Sequence, residues 1–181
     1  MVPEQTPARP PATVSQTVGP FFHVGLVWLF SDRIARADAP GRHIIVHGRV
    51  LDGDGAPVPD ALLEVWQAQP GITGGGFARV PTDDDGAFRF ATVMPTRLPA
   101  PGGGLGAPHL SVAVFMRGLL RQLWTRIYFA GEVSNDQDAV LRCVPEERRA
   151  TLFAQPVHAG ADAFEWNVVL QGEDETVIFD F

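Results

Sequence analysis

The amino-acid sequence predicts an all-β protein, a β-sandwich of about eight strands with an extended N-terminal arm. Nineteen glycines and 16 prolines among 181 residues disfavour long helices. Hydrophobic residues make up 45% of the chain and charged residues 19%, which is enough apolar material for one buried core. Short β-branched or alternating segments recur between turn-forming residues, a pattern typical of a sandwich.

The N-terminal arm is predicted to cover residues 1–20, and the sandwich domain residues 21–181. Prolines oppose a helix in the arm, and no alternating pattern begins there: Pro3, Pro7, Pro10, Pro11 and Pro20. Residues 21–36 are apolar, but Gly25 and the mixed spacing do not decide between a helix and a strand. We expect an irregular segment there.

Eight segments are predicted strands: 43–51, 61–68, 77–80, 87–92, 109–116, 122–129, 164–170 and 176–181. Turn residues after the first and third of these predict that strands one and two, and strands three and four, form hairpins. In the fourth strand Phe88 and Phe90 alternate onto one face, which we expect to be the core face. Residues 95–108 predict a long loop, and residues 146–153 a short helix after Pro145.

Composition excludes several classes of function. All 14 basic residues are arginine, so a Schiff-base lysine or a phosphate-loop lysine is impossible. A net charge of −7 without a basic cluster argues against nucleic-acid and membrane partners. The single cysteine, Cys143, allows no internal disulfide and no thiolate metal cluster, and a cytoplasmic location is expected.

Residue spacing alone identifies no catalytic or metal site. His43 and His47 lie on one face of a predicted strand, about 13 Å apart, which is too far to share an ion. Residues 83–86 resemble part of a calcium loop but lack its later carboxylate, so a solvated turn is expected. Cys143 has no histidine near it in sequence, and nucleophilic catalysis has little support.

Several segments resemble the intradiol ring-cleaving dioxygenases, from about Thr13 to the C-terminus. They occur in the family's order: 15–21 (SQTVGPF), 63–68 (LEVWQA), 83–86 (DDDG), 107–109 (APH) and 125–129 (TRIYF). The resemblance implies an eight-stranded sandwich and a non-haem ferric iron held by two tyrosinates and two histidines. The C-terminal residues 171–181 are most similar to the α subunits of heteromeric members, which cleave protocatechuate with O2.

The resemblance also places the iron-ligand positions on this chain, and most of them carry other residues. His109 matches one histidine, but Ser111 stands at the second and Leu98 at one tyrosine. The other tyrosine would fall within residues 71–77, which contain none. Hard ferric iron needs anionic oxygen donors, so the resemblance implies that this chain holds no iron and is inactive alone. Fe(III) would belong to a β subunit in a higher-order α–β assembly.

Four residues are implied to line the substrate pocket of that β subunit: Arg117, Thr17, Gly19 and Pro20. An arginine binds a carboxylate such as that of protocatechuate in two-point geometry. Glycine would allow close backbone approach, and proline would fix the path of the arm.

Less specific interpretations remain beside this one. Without the resemblance, Arg117 reads as a solvated strand end, while His109 is expected to be a hydrogen-bonded structural histidine. Arg126, within an apolar strand, is expected to pair with a carboxylate. Two other functions stay open: a free-standing β-sandwich module that binds or carries small molecules, like transthyretin-like carriers, and a self-sufficient iron dioxygenase.

Overall fold

The computed structural model describes residues 12–68, 76–100 and 103–180, and its main element is a nine-stranded sheet that folds over on itself. The strands are β1 His43–Leu51, β2 Leu62–Gln67, β3 Gly76–Pro81, β4 Ala87–Val93, β5 His109–Phe115, β6 Leu123–Phe129, β7 Phe153–Pro156, β8 Ala163–Glu165 and β9 Val168–Val169. The α-helices are α1 Pro20–Leu26 and α2 Ala139–Cys143, and 3-10 helices cover Val27–Leu29, Val133–Gln137 and Glu146–Leu152. No helix within the described ranges is long and apolar enough to cross a membrane.

The strand order is β3-β2-β5-β6-β7-β8-β1-β4, with β9 paired to β1. β7 runs parallel to β6 and antiparallel to β8, so it joins one half, β3-β2-β5-β6, to the other, β8-β1-β4. Apolar side chains of the two halves meet in a shared core, as Val46 and Phe90 do with Val65 and Val112. The predicted β-sandwich is therefore confirmed, and the described residues form nine strands of it, two of them very short.

Strand alternation is what fills the core. Phe88 and Phe90 both point inward, as predicted, and their rings stack with centroids 6.4 Å apart. Phe88 also meets the edge of Trp166, at 6.2 Å. Each such buried aromatic side chain contributes about 1.5–3 kcal/mol by leaving water.

Both predicted hairpins at the N-terminal end of the sandwich are wrong. β1 pairs antiparallel with β4, whereas β2 pairs with β3 and β5. The turn after β1 does reverse the chain, but Pro57 and Pro59 follow it and have no N–H to continue a ladder. The chain crosses there to the other half of the sandwich. β5 and β6, the next two strands, do pair antiparallel, in the register from His109↔Tyr128 to Val114↔Leu123.

Three further local predictions need correction or refinement. Pro20–Leu29 is helical and not irregular, because Pro20 stands in the first helical turn, where a missing N–H costs nothing. The predicted strand at 176–181 is absent from its described residues, and only a single bridge joins Phe179 to Trp124. The helix after Pro145 is confirmed as a 3-10 helix. Residues 12–19 of the arm have no regular structure, and residues 1–11 lie outside the described part.

One glycine permits a close approach between β1 and the segment after β8. A Cβ built on Gly48 would lie 1.7 Å from the Trp166 carbonyl oxygen and 3.1 Å from the Phe88 ring. The neighbouring backbone is tied down, since Trp166 N–H donates to the His47 carbonyl at 2.9 Å. Any side chain here must force these strands apart.

We therefore expect Gly48→Ala to lower the free energy of unfolding by about 2 kcal/mol or more, because the clash is with backbone. Gly25→Ala is the matched control, since nothing lies within 4 Å of its Cβ position and it stands in α1. Its stability should stay equal or rise by up to about 1 kcal/mol. Urea unfolding of the two variants measures the difference, and equal midpoints would contradict the packing argument.

Candidate functional site

The N-terminal arm meets the end of β5 at a cavity of about 160 Å³. The cavity is lined by Val18, Gly19, Pro20, Phe22, His23, Asp60 and Arg117. Three of the four predicted pocket residues are therefore brought together here. The fourth, Thr17, lies beside the cavity, where its Oγ1 accepts a hydrogen bond from the Gly118 N–H at 2.7 Å.

Contacts on both sides of the cavity hold the arm at the end of β5. The turn after β5 needs a positive φ at Gly118 (95°), which glycine adopts without strain. On the arm side, α1 begins at Pro20, and the Phe22 ring packs against the Phe115 ring with centroids 5.5 Å apart. The Thr17 hydrogen bond and this ring contact hold the arm against the strand end.

An ion pair between Arg117 and Asp60 lies at the cavity. The Arg117 Nε donates to Asp60 Oδ2, and the arginine side chain stays 65% exposed while the aspartate is 25% exposed. The guanidinium of Arg117 therefore stands at the mouth of the cavity, where a ligand can reach it. Because the pair is partly in solvent, its own contribution to folding stability is small.

Two polar lining residues, Asp60 and His23, were not identified from the sequence. Asp60 lies 57 residues before Arg117, so only the pairing of β2 with β5 brings the two together. His23 lines the same cavity, with its ring edge-on to Phe30 at 5.0 Å. No local spacing signals either contact. The substrate role of Arg117, Thr17, Gly19 and Pro20 remains a prediction.

The implied iron-ligand positions lie at the opposite end of β5. His109 starts the strand, and its Nδ1 lies 2.8 Å from the Ala107 carbonyl oxygen. Burial lowers the pKa of this imidazole, and the nearby Arg126 lowers it further, although the Ala107 hydrogen bond opposes the shift. His109 is thus hydrogen-bonded, as expected. Six strand intervals separate it from Phe115, or about 20 Å, so these positions and the Arg117 cavity are separate places.

The residues present at those positions do not fit ferric iron. Ser111 lies in the ladder between Trp66 and Arg126, and Leu98 lies in the loop before β5. An imidazole, an alcohol and a hydrocarbon offer none of the anionic oxygen donors that Fe(III) needs. Residues 71–75, part of the other expected tyrosine region, lie outside the described residues. Within the described ranges, no three His, Cys, Asp or Glu side chains converge as a metal site.

Among the described residues, Arg126 is connected to a carboxylate through a tyrosine and forms no direct ion pair, so the predicted direct pairing is wrong there. Its Nη1 donates to the Tyr128 hydroxyl at 3.1 Å, and that hydroxyl donates to Asp138 Oδ1 at 3.2 Å. Arg126 and Tyr128 are two apart on β6 and share a face, which places the hydroxyl between the two charges. Burial raises the pKa of Tyr128 to about 12, so it stays a neutral donor.

Asp138 anchors this network and is only 2% exposed. Its carboxylate caps α2 by accepting from Val140 N–H at 2.9 Å and Leu141 N–H at 3.0 Å, and it also accepts from Ala107 N–H at 2.8 Å. Burial alone would raise its pKa, but these hydrogen bonds outweigh burial and the pKa lies below its ordinary value of 3.8. Asp138 therefore ties α2 to the loop before β5.

The comparisons with known proteins agree with this architecture. A family model described as Dioxygenase matches residues 30–172, so the chain belongs to this dioxygenase family. The dioxygenase domain of a carbohydrate-binding fusion protein from Streptomyces sp. SirexAA-E superposes with a TM-score of 0.62 and 26% identity, covering 82% of this chain and 89% of that one. The resemblance to intradiol dioxygenases, an iron-dependent family, is confirmed.

The similarity extends to one kind of subunit. The protocatechuate 3,4-dioxygenase alpha chain of Burkholderia cepacia is 42% identical over 93% of this chain and 96% of its own length. The beta chain named for the same enzyme in that organism is 29% identical, over 92% of this chain and 78% of its own length. This chain is thus more similar to the alpha chain than to the beta chain.

We expect Asp138→Ala to lower the free energy of unfolding by about 2–4 kcal/mol at neutral pH, because three backbone N–H groups lose their acceptor. The folded-state pKa is depressed, so the wild-type advantage should be complete above pH 4 and shrink as the pH falls below about 3.8. Urea unfolding between pH 2.5 and 7 tests this. Asp136→Ala, at an exposed position in the preceding 3-10 helix, should change stability by less than about 0.5 kcal/mol.

Proposed function

We propose that this chain is the non-iron-binding α subunit of a heteromeric protocatechuate 3,4-dioxygenase, which cleaves protocatechuate with O2 to 3-carboxy-cis,cis-muconate. One observation carries the proposal: the arm and Arg117 form a cavity at one end of β5, while the implied iron-ligand positions at the other end hold Ser111 and His109. On this proposal the chain offers a substrate-facing surface, and the residues that the structure describes form no iron site.

The substrate role follows from the chemistry of Arg117. Protocatechuate carries a carboxylate, and a guanidinium that remains exposed at a cavity mouth binds such a group by two parallel hydrogen bonds. Gly19 lines the same cavity and presents no side chain, so the substrate can approach the backbone there. Thr17 holds the arm in place through its hydrogen bond to Gly118.

Ferric iron, held by a β subunit, would supply the electronic activation of the ring and of O2 in the assembled enzyme. The separation of about 20 Å along β5 supports this division, because iron at the His109 end could not act on a substrate held by Arg117. The residues of this chain would bind and orient the carboxylate end of the substrate and exclude water from that side. Oxygen chemistry would take place on the partner.

The surface beside the cavity supports contact with a partner. Phe21 is 86% exposed and Trp28 79% exposed, and both lie on the helical segment that starts at Pro20. Large apolar side chains left in water favour association, since burying them gains about 25 cal/mol per Å². A cytoplasmic location is also proposed, supported by a free and exposed Cys143 that needs no oxidising compartment.

Expressed without a β subunit, the chain should bind no stoichiometric iron and cleave no protocatechuate, because His109 lacks anionic co-ligands. Elemental analysis and an oxygen-uptake assay measure both properties. Co-expression with the β subunit is the control and should give a coloured, active complex. A burgundy, active chain made alone would refute the proposed division, and a stable homo-oligomer that binds protocatechuate without iron or partner would favour a carrier.

In the assembled enzyme, Arg117→Ala should lower kcat/KM for protocatechuate by about 10- to 150-fold, the equivalent of roughly 1.5–3 kcal/mol for a hydrogen bond to a charged group. Iron content and colour should not change. Catechol, which lacks the carboxylate, should be affected much less.

Arg36→Ala is the matched control for this substitution, because Arg36 is also an exposed arginine paired with an aspartate, Asp38. It should leave both substrates unaffected. Equal losses with protocatechuate and catechol in Arg117→Ala would show that Arg117 supports the structure and does not read the carboxylate. No loss with either substrate would place it on the solvated surface.

A further inference from the structure

The cavity contains a carboxylate that the substrate role of Arg117 does not explain. We propose that Asp60 is a positioning residue: it holds Arg117 by its Nε, so that the Nη1–Nη2 edge of the guanidinium is presented to the carboxylate of the substrate. The inference rests on the proposed function, since it needs Arg117 to bind substrate. It adds a residue on which recognition of a carboxylate depends.

The hydrogen bond between Arg117 Nε and Asp60 determines which edge of the guanidinium can bind a substrate carboxylate. A guanidinium binds a carboxylate in two-point fashion either through Nε and one Nη or through both Nη groups. Asp60 Oδ2 accepts from Nε, so the first mode is already occupied. Among the described residues, no group accepts a hydrogen bond from Nη1 or Nη2 of Arg117. The Nη1–Nη2 edge is therefore free to bind an incoming carboxylate.

Asp60 can act as a fixed point because the backbone on both sides of it is clamped by one buried threonine. Thr82 Oγ1 donates to the Val58 carbonyl at 2.8 Å and accepts from the Ala61 N–H at 3.0 Å. Thr82 N–H also donates to the Ala61 carbonyl at 2.9 Å. Asp60 thus projects from a rigid turn in front of β2, whereas Arg117 is a long, mostly exposed side chain.

An unrestrained arginine at a strand end samples many rotamers, and ordering them on binding lowers affinity. The contact with Asp60 restricts those rotamers before substrate arrives. A second ion pair in the molecule shows the contrast: Arg79 and Glu64 pair across β3 and β2 at 2.7 Å, but neither lines the cavity. The Asp60–Arg117 pair has the cavity on one side, and its arginine remains accessible.

The test uses the assembled α–β enzyme with Asp60→Ala, Asp60→Asn, Arg117→Ala and the Asp60→Ala/Arg117→Ala double variant. Asp60→Ala should raise KM for protocatechuate roughly 3- to 30-fold, because a misplaced contact loses most of its value. Its kcat, iron content, melting temperature and activity on catechol should stay near wild type. Asp60→Asn keeps an oxygen that can accept from Nε, and its KM should stay within about 3-fold of wild type.

The double variant separates positioning from a structural role. If Asp60 acts through Arg117, removing Asp60 should add nothing once Arg117 is gone, so the double variant should match Arg117→Ala. Asp38→Ala, which breaks the exposed pair with Arg36, is the control for loss of a surface aspartate and should leave KM unchanged. It also shows the effect of a change in net charge alone.

Four outcomes would overturn the inference. If Asp60→Ala raised KM by the same factor in the wild type and in Arg117→Ala, Asp60 would act on the structure and not through Arg117. A lower KM in Asp60→Asn would show that Asp60 only weakens the charge of Arg117. If Asp60→Ala left KM for protocatechuate unchanged while Arg117→Ala lowered kcat/KM, the role of Asp60 would be refuted and the proposed function would stand. If Arg117→Ala left kcat/KM for protocatechuate unchanged, both the role of Asp60 and the substrate role of Arg117 would be refuted.

Discussion

The placement of β5 is the constraint on which the rest of the structure depends. The strand is paired on one side to β2 and on the other to β6, and its inner residues Leu110, Val112 and Val114 are fully buried. Neither end of such a strand can shift without breaking two ladders and the core. His109 and the turn containing Arg117 are therefore held at opposite ends of one rigid element, and the cavity forms only where the arm meets the second end.

The network at the His109 end shows how the fold stays ordered where the family's iron ligands are missing. Arg126 brings a positive charge near His109, and Tyr128 and Asp138 connect that charge to the cap of α2. Each polar group named here has a partner, which is what burial requires of polar atoms. The loop before β5 is held by Asp138 through Ala107, so local order here rests on hydrogen bonds among side chains and backbone.

Strand positions were largely predictable from the sequence, because alternation such as that of Phe88 and Phe90 is a local property. Strand partners were not, since β1 pairs with β4 and β2 with β5 through residues that lie far apart in sequence, and no local pattern specifies such a pairing. Helix positions were harder to predict. By residue type Pro20 opposes a helix, but it stands in the first turn of α1, where proline is tolerated.

The residues of the candidate site also fall into those that the sequence indicated and those that only the structure shows. Motif resemblance pointed to Arg117 and the arm residues, and the structure brings them together. Asp60 carries no such signal, because an acidic residue after Pro59 looks like any solvated turn until β2 is set beside β5. The direct partner of Arg126 was also missed, since the hydroxyl that separates it from Asp138 is visible only in three dimensions.

The hydrogen bond between Thr17 and Gly118 has a consequence for how a partner associates. Residues 12–19, which are already docked on their own chain, have lost much of their conformational freedom before any encounter, so their part in association resembles rigid docking more than coupled folding. The on-rate is then limited by orientation and charge and not by a search among arm conformations. The heat-capacity change of assembly should correspondingly reflect the interface alone, without a contribution from ordering residues 12–19.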